Sequence, residues 1–226
     1  MIFSLKPWPI NSTRTIIKQI QKKFLSRNPL VKKANERFFL SILQLVQGTK
    51  AKKILDCGCG EGMILKYLED RIKDLKLFGF DTNQEALGLA QELIPRARLK
   101  TGSIYQIPFP ANFAPLVLCT EVLEHLRAPH KALAELKRVT RYQTIVSVPH
   151  EPFFRLANMA RLAYLKSFGN TPGHLNNWSQ ADFKQLVEPF FQIEKAVYPF
   201  PWMVFLLRVP DSKKETKKLS PAQLNQ

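Results

Sequence analysis

Cysteine is scarce in this chain of 226 residues: Cys57, Cys59 and Cys119 are all it has. An odd number of thiols this small excludes a disulfide framework and points to a reducing compartment. Cys57 and Cys59 stand one residue apart without further thiols beside them, so they read as small residues in a turn and not as a metal knuckle. A clean apolar span is missing too. The longest uncharged run, residues 101–120, is broken by Gly102, Pro108, Pro110, Asn112 and Pro115, which makes it loop followed by buried strand and not a membrane crossing. Internal repeats are absent, which excludes solenoids and propellers. What remains, 45% hydrophobic and 23% charged residues, suits one enzyme-sized globular domain.

Acidic residues are also unevenly spread. Against 34 Lys and Arg there are 18 Asp and Glu, a formal charge of +16, and the first 35 residues hold eight of the bases and no acid. Ile16, Ile17, Ile20, Phe24 and Leu25 recur at helical spacing beside Lys18, Lys22 and Lys23, which predicts a basic amphipathic helix. Such a helix packs on its own domain or lies on an anionic membrane or nucleic acid. Residues 1–49 are therefore expected as basic N-terminal helices on or beside the domain, the second spanning 34–46. Residues 211–226, rich in Lys, Ser, Gln and Asn, read as a disordered basic tail.

Between them, residues 50–210 alternate. Strands are predicted at 52–57, 75–80, 97–100, 116–119 and 144–148, with helices at 63–70, 83–93 and 128–139. Alternation of this kind implies a doubly wound, mostly parallel sheet in the α/β class. The rhythm breaks at 149–177, where prolines and Gly173 flank a predicted helix over 153–168; this insertion after strand 5 is expected as an acceptor lid. Ser179 caps a helix to 187, and 191–198 with 202–209 close the chain as strands.

The densest signal is Asp56-Cys57-Gly58-Cys59-Gly60-Glu61-Gly62, a glycine turn between strand and helix. Glycine lets the backbone turn sharply and approach a ligand without a Cβ in the way. The dinucleotide fingerprint needs a third glycine at position 63, which is Met63, so the spacing disfavours a nicotinamide or flavin. Asp81 ends the second strand 21 residues beyond Gly60, where a carboxylate can accept from both hydroxyls of a ribose or cap the next helix.

With these residues the chain resembles the class I S-adenosylmethionine-dependent methyltransferases, the type 11 and ubiquinone-biosynthesis-like group, over about residues 50–209. The matching motifs are Asp56 to Gly62, Asp81, Gly102-Ser103-Ile104 with Ile107-Pro108-Phe109, and Leu116 to His125. The resemblance implies a seven-stranded Rossmann-like sheet, antiparallel only at the last strand, and S-adenosyl-L-methionine as cofactor. It places Asp56, Gly58, Gly60 and Gly62 at the methionine part, Asp81 at the ribose, Ser103 and Ile104 at the adenine, and Cys119, Thr120 and Glu121 beside the sulfonium.

Glu121, Glu124 and His125 form E-x-x-E-H, on one face if that segment is helical, and His174 lies in the insertion. Glu121, His125 and His174 are the catalytic candidates, as general base or acceptor contacts, resembling the quinone-pathway O-methyltransferases. In this reading no metal is assigned. The alternative resemblance, to the small-RNA 3′-terminal 2′-O-methyltransferases, puts a divalent ion on Glu121, Glu124, His125 and His174. The expected reaction is methyl transfer to a small-molecule or lipid-like acceptor on oxygen, with RNA methylation and a non-catalytic cofactor-binding or membrane-surface module as alternatives. A cytoplasmic protein is expected, touching anionic membrane through residues 1–33, with nucleic acid a less favoured partner.

Overall fold

The computed structural model describes residues 28–160 and 167–210. The amphipathic helix expected at 16–25, part of the insertion helix expected over 153–168, and the tail from 211 lie outside the described residues.

Asn28 opens helix α1 (Pro29–Thr49) by accepting from Leu30 N at 2.9 Å, and Pro29 takes the first helical position, where a missing N–H costs nothing. These signals carry the helix beyond the predicted 34–46. There follow β1 (Lys53–Cys57), α2 (Met63–Glu69), β2 (Lys76–Asp81), α3 (Gln84–Leu93), β3 (Arg98–Thr101) and β4 (Ala114–Thr120). A short 3-10 turn (Leu123–His125) leads to α4 (Pro129–Val139) and β5 (Thr140–Pro149), then α5 (Phe153–Ala160), α6 (Gln180–Val187), β6 (Gln192–Val197) and β7 (Trp202–Arg208). Ser179 and Asp182 cap α6 reciprocally, each side chain accepting from the other's backbone N–H.

The strands form one seven-stranded sheet in the order β3-β2-β1-β4-β5-β7-β6. Strands β1 to β5 pair in parallel, and β7 runs antiparallel to both its neighbours. The expected fold is therefore present, including the single reversed strand. Strand order switches sense at β1, where the sequence runs outward through β2 and β3 and then crosses back to β4; ligands bind at that crevice in open sheets.

Alternation along each strand divides the core into two layers. Leu55, Cys57, Val117, Cys119 and Val146 pack with Leu133 and Leu136 of α4 and Phe183 of α6. Ile54, Leu116, Leu118 and Ile145 pack on the other face with α1, α2 and α3. Phe38, Ile42, Leu43, Leu45 and Val46 of α1 are buried there, each burial contributing about 1.5–3 kcal/mol, so α1 is part of the domain's core. Among the described residues no helix is long and apolar enough to cross a membrane.

Candidate cofactor and acceptor site

The turn after β1 uses glycine for two different reasons. Gly58 adopts φ +81°, and a Cβ there would lie 2.6 Å from Val122 Cγ2. Gly60 adopts φ +50°, with open space where its Cβ would be. The turn is tied to the end of β2: Gly58 N and Cys59 N donate to Phe80 O at 2.9 and 3.0 Å, and Gly60 N donates to Asp81 Oδ2 at 2.9 Å. Asp81 Oδ1 accepts from Asn83 N at 2.9 Å. The cap of α3 is Asn83, whose side chain accepts from Glu85 N and Ala86 N, so capping does not occupy Asp81. Each Asp81 oxygen keeps a lone pair for a further donor.

Asp56 ends up beneath this turn, 2% exposed, and its Oδ1 has no hydrogen-bond partner. Burial, and then the Asp81 charge, push its carboxyl up to about 7. A buried, unpartnered acid below a glycine turn is a site built to receive a cation or a donor. At the neighbouring strand ends, Ser103 Oγ accepts from Tyr105 N at 3.2 Å and Ile104 is buried. Thr120 is buried at the end of β4, whereas the Cys119 side chain is packed in the core layer shared with α4. Burial holds the thiols of Cys57, Cys59 and Cys119 above their ordinary value, consistent with inert packing.

Past β4 the chain departs from helical expectation. Glu121 takes φ +57°, and only residues 123–125 form a 3-10 turn. The two carboxylates of E-x-x-E-H make different contacts. Glu121 Oε1 accepts from Ser147 Oγ at 3.0 Å and Oε2 from Trp202 Nε1 at 2.6 Å. Loss of solvent lifts its carboxyl to about 7, against the pull of both hydrogen bonds. Glu124 is 1% exposed with neither oxygen hydrogen-bonded, Oε1 lying 3.9 Å from His125 Nε2, and burial, then Glu121, raise its carboxyl well above the ordinary range.

His125 and His174, 49 residues apart, come together with ring centroids 4.9 Å apart. His125 Nδ1 lies 2.9 Å from Gly173 O. A carbonyl only accepts, so Nδ1 is the donor in this contact, and Nε2 lies 3.9 Å from Glu124 Oε1. His174 Nδ1 is buried and unpartnered, and burial, then His125, lower its pKa to about 4. Ligating atoms of Glu124, His125 and His174 lie within 4.8 Å of one another. The structure thus gathers three of the four residues of the metal alternative and turns Glu121 elsewhere.

Asn176 holds this arrangement. Its Nδ2 donates to Leu126 O at 2.6 Å, while Leu175 N and Asn176 N donate to Glu124 O at 2.8 and 3.0 Å. Sequence reasoning missed Asn176, Ser147 and Trp202 as site residues; Trp202 reads there only as buried strand. His150 stands apart, its ring 5.0 Å from Phe153 and 5.7 Å from Tyr198.

A family model described as "Methyltransferase domain" matches residues 55–148. An uncharacterized methyltransferase of Schizosaccharomyces pombe is 36% identical over 103 residues, 41% of this chain and 37% of that protein. A Mycolicibacterium smegmatis protein described as a probable S-adenosylmethionine-dependent methyltransferase is 25% identical over 162 residues, 70% of this chain and 58% of that one. The chain spans about a third to a half of the length of the first curated relatives it matches. In fold it is similar to magnesium protoporphyrin IX methyltransferase from Synechocystis PCC 6803, whose crystal structure holds S-adenosylhomocysteine: TM-score 0.64 and 15% identity, covering 87% of this chain and 95% of that one. With the Asp56 to Gly62 turn, Asp81 and the 3-2-1-4-5-7-6 sheet, the methyltransferase domain matched at residues 55–148 and these relatives together support a class I S-adenosylmethionine-dependent methyltransferase.

Proposed function

We propose that this protein transfers a methyl group from S-adenosyl-L-methionine to a hydroxyl oxygen of a small-molecule or lipid-like acceptor, with His125 as general base. The observation that carries the reading is the His125 Nδ1 contact to Gly173 O, which leaves Nε2, 3.9 Å from Glu124 Oε1, as the nitrogen that takes a proton.

The chain's residues suit the cofactor. The unpartnered Asp56 Oδ1 fits an ammonium donor, the open side of Gly60 admits a close ligand, and Asp81 retains acceptor capacity for ribose hydroxyls. Ser103 and Ile104 would border the adenine, and Thr120 and Glu121 the reacting end. The cofactor supplies an already activated methyl group, so the protein's work is alignment, exclusion of water and removal of one proton. His125 Nε2 accepts that proton from the acceptor hydroxyl, and its imidazolium keeps the Gly173 contact. Glu121, fixed by Ser147 and Trp202, orients the acceptor. The 149–177 insertion forms the lid, fastened by Asn176 to the turn that carries His125.

Replacing His125 by alanine should slow label transfer from methyl-tritiated cofactor to fractionated cell extract by about 10² to 10⁴-fold, with cofactor affinity unchanged by calorimetry. A rate within twofold of the parent would remove His125 from the mechanism, and counts appearing in RNA would replace the acceptor class.

A second reading has its own support in the convergence of Glu124, His125 and His174. A mixed carboxylate and imidazole set suits manganese or iron, and a buried unpartnered carboxylate is relieved by a cation. In this reading the protein is a divalent-metal-dependent RNA 2′-O-methyltransferase. It predicts stoichiometric metal in protein purified without chelator and loss of activity in EDTA, restored by manganese. Full activity in metal-free protein would overturn it.

A further inference from the structure

Helix α5 faces the wrong way for a helix in water. Its polar Asn158 is 3% exposed and donates to Gly169 O at 2.8 Å, while Phe153, Leu156 and Met159 are 45%, 55% and 37% exposed. Soluble helices turn their apolar stripe inward. Of ten exposed large hydrophobic residues among those described, seven fall within 153–175 and 198–200. Three of them adjoin across α5 and the β6–β7 loop: the Phe153 ring is 6.4 Å from Phe200 and 5.0 Å from His150, which is 5.7 Å from Tyr198. Contiguous apolar surface of this kind marks an interaction site.

Charge identifies the occupant. Between residues 150 and 178 the single acid is Glu151, and it is buried at 8% exposure, while Arg155 adds positive charge beside the patch. An apolar face with basic and no acidic rim is complementary to anionic lipid headgroups over acyl chains. Residues 1–27 carry six more Lys or Arg and no acid. They join the fold at Asn28, ten residues or about 15 Å of helix from Phe38, whose ring lies 5.0 Å from Trp202.

Position gives the face its use. Phe154, between the exposed residues of α5, turns inward to lie 5.7 Å from His174 and 6.0 Å from Trp202, the residue that holds Glu121. One wall therefore has the acceptor residues on its inner side and the apolar patch on its outer side.

We infer that the face formed by α5 and the β6–β7 loop seats this protein on an anionic lipid surface, from which an amphiphilic methyl acceptor enters the site. The acceptor clause rests on the methyl-transfer reading above; the docking clause does not.

The test is flotation of the full chain with vesicles of phosphatidylglycerol in phosphatidylcholine, and with phosphatidylcholine alone, beside a Leu156→Asp, Phe200→Asp variant. The parent should bind the anionic vesicles in a salt-sensitive way, and the variant should bind roughly tenfold or more weakly with an unchanged circular dichroism melt. Hydrogen exchange on the parent guards against misfolding of the variant: vesicles should protect 153–160 and 198–201. Protection confined to residues 1–27 overturns the inference in favour of the N-terminal segment alone. Self-association abolished by the two substitutions, without vesicle binding, overturns it in favour of a second copy. Counts only in aqueous products overturn the acceptor clause. Vesicle binding with no methylated product leaves docking standing and defeats the methyl-transfer reading instead.

Discussion

Replacing Asp81 by alanine will weaken binding of S-adenosyl-L-methionine, and of its demethylated product, by about 10² to 10⁴-fold. The carboxylate does two things at once. It ties the glycine turn to β2 by accepting from Gly60 N, and it braces the chain at Asn83 N, both at 2.9 Å. Each oxygen still has capacity to accept from a ribose hydroxyl, and two charge-assisted hydrogen bonds are together worth about 3–6 kcal/mol. Asp81→Asn keeps one acceptor oxygen and should lose roughly tenfold. Calorimetry with the two ligands decides the matter. An affinity within threefold of the parent for the alanine variant would mean that this acid does not grip the cofactor.

The second large effect lies beneath the same turn. The Asp56 carboxyl is held at about 7 against an ordinary 3.8 by burial and by Asp81. A raised carboxyl favours the protonated folded state, so Asp56's contribution to the stability of the ligand-free protein is greatest below the unfolded pKa. That contribution is lost as pH rises from about 4 to 7, by up to about 4 kcal/mol. Asp56→Asn removes the charge without changing the shape. Denaturant melts of the ligand-free variant should match the parent near pH 4 and exceed it by about 1–4 kcal/mol near pH 8. The same substitution removes the anion awaiting the cofactor's ammonium, so affinity should fall by about 100-fold. In the parent, cofactor affinity should rise with pH up to about 7 as Asp56 ionises. An asparagine variant less stable than the parent near pH 8 would show that Asp56 is not held at an energetic cost.

The glycine turn and its tie to Asp81 were legible in the sequence because they are local. The turn between β1 and α2 is one run of residues, and Asp81 follows one unit later, so glycine spacing and a strand end suffice to place them. Helix α1 was underestimated by a few residues at each end, although the cap at Asn28 and the proline after it are sequence signals. The acceptor side was less legible. E-x-x-E-H suggests a helical face, but the left-handed Glu121 and the 3-10 turn give its two acids different partners. Glu121 and Trp202 are 81 residues apart, and nothing near either one announces the other.

By itself, then, the chain's order of residues determined the alternating architecture, the glycine turn and the acid that closes it, since each depends on neighbours a few positions away. The tertiary structure alone decided which groups meet beyond the end of β4. Strand β7 enters between β5 and β6 and delivers Trp202 to Glu121, while Asn176 draws His174 and Gly173 onto the turn carrying Glu124 and His125. Those contacts arise from sheet order and loop closure, which bring distant segments together only when the two core layers are packed.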